Sequence, residues 1–288
     1  MADGSALALN RMGFALKPAA AVAFAAAALA LPGAIVAAPT NQIAISYEVQ
    51  VGSMSAIRIS YNAALSGKTY QSTASIKTKG FASVFSDYQM DMASSGRLDG
   101  DGLKPQQYRS KQDRKNDKKI LEVKWPGDDS PAVNSIPKDK EDEELVAPAL
   151  TSGLVDPLSM LLRMTALQAG KPCRSVERVV DGREVYDLRF ALAGEVKLDG
   201  DSPGTYRGRA FKCTMTYTPV GGRPAVKYRK KGGVPSKFDI WFAPVKSGTS
   251  DGALFVPVLA TGKLQGLRFV AYARKASIGG QPIASLDD

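Results

Sequence analysis

The chain has 288 residues, with 38 Lys+Arg against 28 Asp+Glu, a formal net charge of +10, two cysteines and no histidine. Without histidine there is no Ser-His-Asp or Cys-His nucleophilic machinery, no imidazole acid–base catalysis, and none of the commonest metal ligand. Two cysteines are too few for a zinc site, and they are not spaced as a redox Cys-x-x-Cys, so no cofactor or metal is expected.

Arg11 and Lys17 precede an alanine-rich apolar run from Pro18 to Ala38, broken at Pro32-Gly33. This is the pattern of an export signal over residues 1–38, cleaved near Ala34 to Ala38. Ala34 and Ala37 are the usable positions, because cleavage after Ala38 would leave Pro39 first. Met12 is an alternative start. The run is about as long as a bilayer-spanning helix requires, but alanine contributes little to insertion and Pro-Gly interrupts it. Losing Asp3, Arg11 and Lys17 with the leader takes the net charge to +9. The remaining 39–288 reads as a single exported domain in the periplasm, without a lipidation cysteine or a stable transmembrane anchor. A basic exported protein meets anionic lipid headgroups, lipopolysaccharide or peptidoglycan rather than nucleic acid. The plainer alternative is a soluble protein that tolerates excess lysine.

From residue 43 the dominant pattern has period two. Ile43, Ile45, Tyr47, Val49 and Val51 share one face of a strand, with Ala44, Ser46, Glu48 and Gln50 on the other. Ile57, Ile59 and Tyr61 follow the Gly52-Ser53 turn, and Tyr70, Ala74 and Ile76 follow Ser66-Gly67. Tyr88, Met90 and Met92 mark a fourth strand, ending at the turn from Gly96 to Gly102. Further strands are read at 107–114, 118–125, 185–192, 206–217, 237–242, 253–260 and 265–273. About ten or eleven strands joined by short turns predict an antiparallel meander, and a sheet that wide must curl, close or split. The expected fold is mainly β: one curved sheet, a half-barrel or open barrel.

One stretch departs from this rhythm. Leu158, Leu161, Leu162, Thr165 and Leu167 follow helical spacing, with Asp156 as N-cap, Pro157 at the first helical position and Gly170 past the end. A lone apolar helix is expected on the concave side of the sheet, as a fixed core element or as a plug over a cavity lined by Leu158, Leu161, Leu162 and Leu167. Residues 126–149, with Asp128, Asp129 and the run Asp139-Lys140-Glu141-Asp142-Glu143-Glu144, read as a long irregular surface loop, solvated or partner-binding.

Two basic clusters are candidate contacts for an anionic surface. Lys111, Arg114, Lys115, Lys118 and Lys119 surround a hairpin tip at Asn116-Asp117, and Arg229, Lys230 and Lys231 precede Gly232-Gly233. Solvated turns are the competing reading of both. Cys173 and Cys213 lie in strand-like segments of an exported chain and are read as a structural disulfide rather than free or exchanging thiols. Closing a loop of about 41 residues stabilises by about 4 kcal/mol in the chain-entropy description.

Other chemistry is thin. Ser66-Gly67-Lys68-Thr69 imitates the end of a phosphate-binding loop, but Asn62 stands where the first glycine belongs. Ser159 and Arg163 lie one helical turn apart, yet arginine does not serve as a base. Asp181-Gly182 is a hairpin turn.

Gly170-Lys171-Pro172-Cys173, Val180-Asp181-Gly182-Arg183, Tyr186-Asp187-Leu188, Cys213 and Tyr217 stand together with Gly102-Leu103-Lys104-Pro105 and Asp156-Pro157-Leu158-Ser159. In these the chain resembles the exported bacterial domain-of-unknown-function 3108 family, over roughly Ile43 to Arg274. The resemblance implies an envelope protein of Gram-negative bacteria with no established reaction. By analogy of fold alone, it implies a curved half-barrel like those of lipoprotein carriers. The expectation is therefore a non-enzymatic periplasmic binding or scaffold protein for a lipid or anionic envelope component. The alternatives are a histidine-free hydrolase or transferase acting on envelope polymer, and a purely structural protein.

Overall fold

The computed structural model describes residues 41–80, 83, 87–100, 102–114, 117–127, 130–138, 140–167, 172–200, 204–231, 236–246, 253–264 and 266–283, all within the unit Ala38–Asp288. The expected leader lies outside the described residues. The first half holds β1 (Asn41–Val51), β2 (Met54–Ser66), β3 (Thr69–Thr78), β4 (Tyr88–Asp99), β5 (Gly102–Arg114), β6 (Asp117–Lys124) and β7 (Ala132–Ile136). Then come α1 (Lys140–Val146), a 3-10 turn (Ala147–Ala149), α2 (Pro157–Ala166), β8 (Val176–Val180), β9 (Glu184–Asp199) and β10 (Arg207–Gly222). The chain continues through α3 (Arg223–Lys230), β11 (Ser236–Lys246), β12 (Ala253–Leu264), β13 (Leu267–Ile278) and β14 (Gln281–Pro282).

All fourteen strands belong to one antiparallel sheet, in the order β7-β6-β5-β4-β3-β2-β1-β13-β12-β11-β10-β9-β8, with β14 added to β13. Two meanders, β1 to β7 and β8 to β13, are joined where β1 pairs with β13. The expected count of about ten or eleven strands was short by β7, β8 and β14. The first two are five-residue strands at the sheet edges and the third is only two residues long, so none carries enough alternation to stand out. Along the longer strands the alternation is realised as burial. Tyr70, Ser72 and Ala74 point inward on β3, as do Lys119, Leu121 and Val123 on β6.

The sheet curls without closing. Edges β7 and β8 share no ladder, yet the β8–β9 turn reaches β6, where a Cβ on Gly182 would stand 3.2 Å from Leu121 Cβ. Gly182 has φ +94°, a conformation that favours glycine. Along this seam lies α1. Lys119 on β6 pairs with Asp142 at 3.3 Å and Ser135 on β7 donates to Glu143, while Arg223 of α3 holds Asp142 at 2.7 Å and Glu141 at 2.9 Å. The segment 126–149, expected as an irregular loop, therefore contains a strand, a helix and a 3-10 turn. Its acidic run has cations to meet on both sides of an open seam, and Val146 is buried beneath it.

Three α-helices are present among the described residues where one was expected. Only α2 lies inside the curve. Leu158 and Leu162 pack with Tyr61, Tyr70 and Tyr108, whereas Met160 and Met164 turn to Phe242 and Phe255 of the other half. One helix thus fills the interior against both meanders, which is why its apolar positions go nearly all the way round. No helix among the described residues is long and apolar enough to cross a membrane.

Candidate functional site

The interior has an apolar hollow of about 470 Å³ above the first turn of α2. Pro157, Leu158, Met160 and Leu161 line it from the helix. Ile59, Ile76, Met90, Met92, Leu121, Ile240, Leu259, Ala260 and Ala271 come from the sheet. The sequence pattern placed Leu158, Leu161, Leu162 and Leu167 around such a space. Leu158 and Leu161 line it. Leu162 is fully buried one turn deeper, and Leu167 caps the helix end, its N–H donating to Arg163 O. Gly170 lies outside the described residues.

The helix start is fixed by a buried polar knot. Asp156, wholly buried, accepts from Leu158 N (2.9 Å) and Ser159 N (3.0 Å) through Oδ1, and from Ser94 Oγ (2.8 Å) and Ser159 Oγ through Oδ2. Tyr70 OH lies 2.6 Å from Ser159 Oγ. That approach requires glycine on β4, because a Cβ at Gly96 would run into the Tyr70 ring and the Lys104 carbonyl. Burial pushes the Asp156 carboxyl above its ordinary range, against the four hydrogen bonds that favour the carboxylate. The knot is enclosed beneath the hollow: neither Asp156 nor Ser159 lines it. Asp156 acts as a helix cap. The hydroxyls of Tyr61 and Ser72 are both buried without a hydrogen-bond partner among the described residues.

Polar groups line the hollow from two parts of the sheet: Tyr47 and Tyr61 on β1 and β2, and Tyr108, Ser110 and Gln112 on β5 with Asp181 from the β8–β9 turn and Tyr186 from β9. Asp181 Oδ1 accepts from Arg183 N (2.8 Å) and Glu184 N (2.9 Å), the geometry of a turn residue that stabilises its own hairpin. Burial pushes its carboxyl up, opposed by those amides and by the Arg183 charge. Glu184, held by Tyr217 OH at 2.6 Å, is pushed up to about 7 by burial. The Tyr186 and Tyr217 rings pack 5.2 Å apart. The turn reading of Asp181-Gly182 is correct as local structure but leaves out that the curl of the sheet aims this turn into the interior.

The candidate anionic contacts are dispersed. Lys111 faces outward on β5, Lys118 pairs with Asp113 at 3.4 Å, and Lys119 is buried against Asp142. Lys115 lies outside the described residues. Arg229 and Lys230 end α3 and Lys231 caps it, where a helix rather than the expected basic turn stands. Cations at a helix C-terminus meet its partial negative charge. Arg114 alone of the set continues the inward row of β5, one step beyond Gln112. Cys173 and Cys213 form a disulfide with Cα atoms 5.8 Å apart. Cys213 is on β10 as expected, whereas Cys173 lies in the link from α2 to β8, outside any strand. Among the described residues no group of three or more Cys, Asp and Glu side chains is placed to hold a metal ion.

Residues 46–261 match one protein family. The chain belongs to the family described as Protein of unknown function (DUF3108). The match runs from β1 to β12 and takes in the helix knot, the seam, the bridge and every lining residue of the hollow but Ala271. Among solved structures, the chain is similar to the β-barrel-like protein of domain of unknown function DUF1849 from Brucella abortus. That likeness has 12% identity and a TM-score of 0.48, over 83% of this chain and 98% of the other. No curated protein matches the sequence.

Proposed function

We propose that this DUF3108 protein is a non-enzymatic binding protein of the cell envelope, exported to the periplasm, whose curled sheet holds an apolar moiety such as an acyl chain. The observation that carries this reading is the hollow above α2. Its volume of about 470 Å³ falls within the range of about 300–1,000 Å³ in which small-molecule sites occur. Its walls are aliphatic and methionine-rich, with a few polar groups among them, the composition that takes up an apolar ligand and orients it. The disulfide supports an oxidising compartment. A purely structural protein would have no use for an unfilled interior of this size.

A second reading, a histidine-free hydrolase or transferase, draws support from Glu184, because a carboxyl titrating near neutrality suits a general acid. Against it, Glu184 is engaged by Tyr217 and does not line the hollow, while Asp181 is committed through Oδ1 to its own turn. Native mass spectrometry of gently purified protein from its own host tests the binding reading, with co-purifying lipid mass as the expected result. Ala271→Trp, which fills the hollow from β13, should remove that mass while leaving the fold intact by circular dichroism. Ligand-free wild-type protein that also fails to take up added fatty acid would overturn the proposal.

A further inference from the structure

Arg114 and Arg183 each stand two positions past a residue that lines the hollow, Gln112 and Asp181. On β4 and β5 the paired residues Met90 and Gln112 line the hollow, and the next inward pair toward the strand ends is Tyr88 and Arg114. Across the open seam Arg183 follows the lining residue Asp181 by two positions. Tyr88 feels the charge of both arginines, which work against the rise that burial imposes on its hydroxyl. Neither arginine makes an ion pair among the described residues, and Arg183 Nε is buried without a hydrogen-bond partner. Arg114 thus stands one inward step beyond the lining residue Gln112, and Arg183 follows Gly182, which abuts the lining residue Leu121.

We infer that Arg114 and Arg183 form the head-group site of this hollow, taking the carboxylate or phosphate of an anionic amphiphile whose chain lies over α2. This rests on the reading of the hollow as a binding site and adds the class of ligand. Guanidinium suits the role because its planar fork matches both oxyanions and stays charged at any physiological pH. Asp117, the ladder partner of Arg114 across the hairpin, makes no ion pair with it among the described residues, and the other acids nearby are engaged elsewhere. Asp113 pairs outward with Lys118, and Glu184 is held by Tyr217. Asp181 is held by two amides, and burial favours its neutral form. The placement across the seam also lets the head group act as a clasp. An anion bridging Arg114 on β5 and Arg183 on the β8–β9 turn would tie together two parts of the sheet that share no strand pairing.

The test is isothermal titration calorimetry on the full exported domain below micelle-forming concentrations, with laurate, dodecyl phosphate, dodecanol, dodecyltrimethylammonium and inorganic phosphate. Laurate and dodecyl phosphate are expected to bind at least about tenfold more tightly than dodecanol, the worth of one charge-assisted hydrogen bond. Inorganic phosphate alone should bind far more weakly than dodecyl phosphate. The Arg114→Gln, Arg183→Gln double variant should bind all chain-bearing ligands as weakly as dodecanol while its dodecanol affinity stays unchanged. Arg114→Glu alters only an exposed side chain, guards against a folding defect at the turn, and should favour dodecyltrimethylammonium over laurate. Equal affinity of laurate and dodecanol for the wild type would overturn the head-group site while leaving the hollow a binding site. Failure of every chain-bearing ligand would overturn the binding reading itself. Inorganic phosphate binding as tightly as dodecyl phosphate would replace the proposal with a free-anion site.

Discussion

Replacing Asp156 separates the two things its carboxylate does in the buried knot. In Asp156→Ala the first turn of α2 loses its cap, worth about 1 kcal/mol. The hydroxyls of Ser94 and Ser159 lose their shared acceptor. They lie 3.0 Å apart and can bond one another, and Tyr70 keeps its contact with Ser159, so one hydroxyl donor is left unsatisfied. Such a buried donor costs about 1–3 kcal/mol. The sum is about 3 kcal/mol, or roughly 6–12 °C in Tm at the ~2–4 °C per kcal/mol typical of a domain this size. Asp156→Asn keeps the cap oxygen and offers an amide to which both serine hydroxyls can turn, so it should cost less than about 1 kcal/mol. The pH dependence has a definite sign. Because burial raises this carboxyl above its unfolded value of 3.8, its contribution is complete below that value and declines as pH rises through the folded one. The Asn variant should therefore lose least, relative to wild type, on the alkaline side. Urea and thermal unfolding followed by circular dichroism measure all three quantities. An alanine variant within about 1 °C of wild type, or an asparagine variant as damaged as the alanine one, would refute this account of the knot.

Two further predictions concern the seam-side half. The double variant Cys173→Ala, Cys213→Ala should lose about 4 kcal/mol in the oxidised state, from the 40-residue separation that the bridge closes; reductant should lower the wild-type Tm toward the variant's and leave the variant unmoved, and equal oxidised melting temperatures would contradict it. Glu184→Gln keeps an acceptor for Tyr217 but cannot ionise. Glu184 is raised from 4.5 to about 7, so wild type should lose stability relative to the variant as pH climbs from 4.5 through 7, a difference readable in paired melts at several pH values.

The parts of the fold that could be read in the chain are those encoded over a few residues. Alternation named most of the long strands. Asp156-Pro157 named the start of α2, because a capping carboxylate followed by proline is a local device. The missed strands β7 and β8 are short edges, and the acidic run became α1 only because Lys119 and Arg223, distant in sequence, stand on either side of it. The candidate cations show the same limit. Of the eight named, Arg114 stands two positions past the lining residue Gln112 on the inward row of β5. Arg183 reads in sequence only as part of a turn, and nothing near it in sequence signals that the turn faces inward.

Composition and short-range pattern by themselves determined that this is a histidine-free, basic, disulfide-bearing, mainly antiparallel β chain with one capped interior helix. Each of those follows from a residue count, from the two-residue period of a strand or from a cap. Tertiary structure alone decided that the sheet curls onto an unpaired seam, that the helix leaves about 470 Å³ above its first turn unfilled, and that Arg114 and Arg183, nearly seventy positions apart, each stand two positions past one of its lining residues. The physical reason is that curvature accumulates over many strands, and what faces inward at a given height depends on registers summed across the whole sheet.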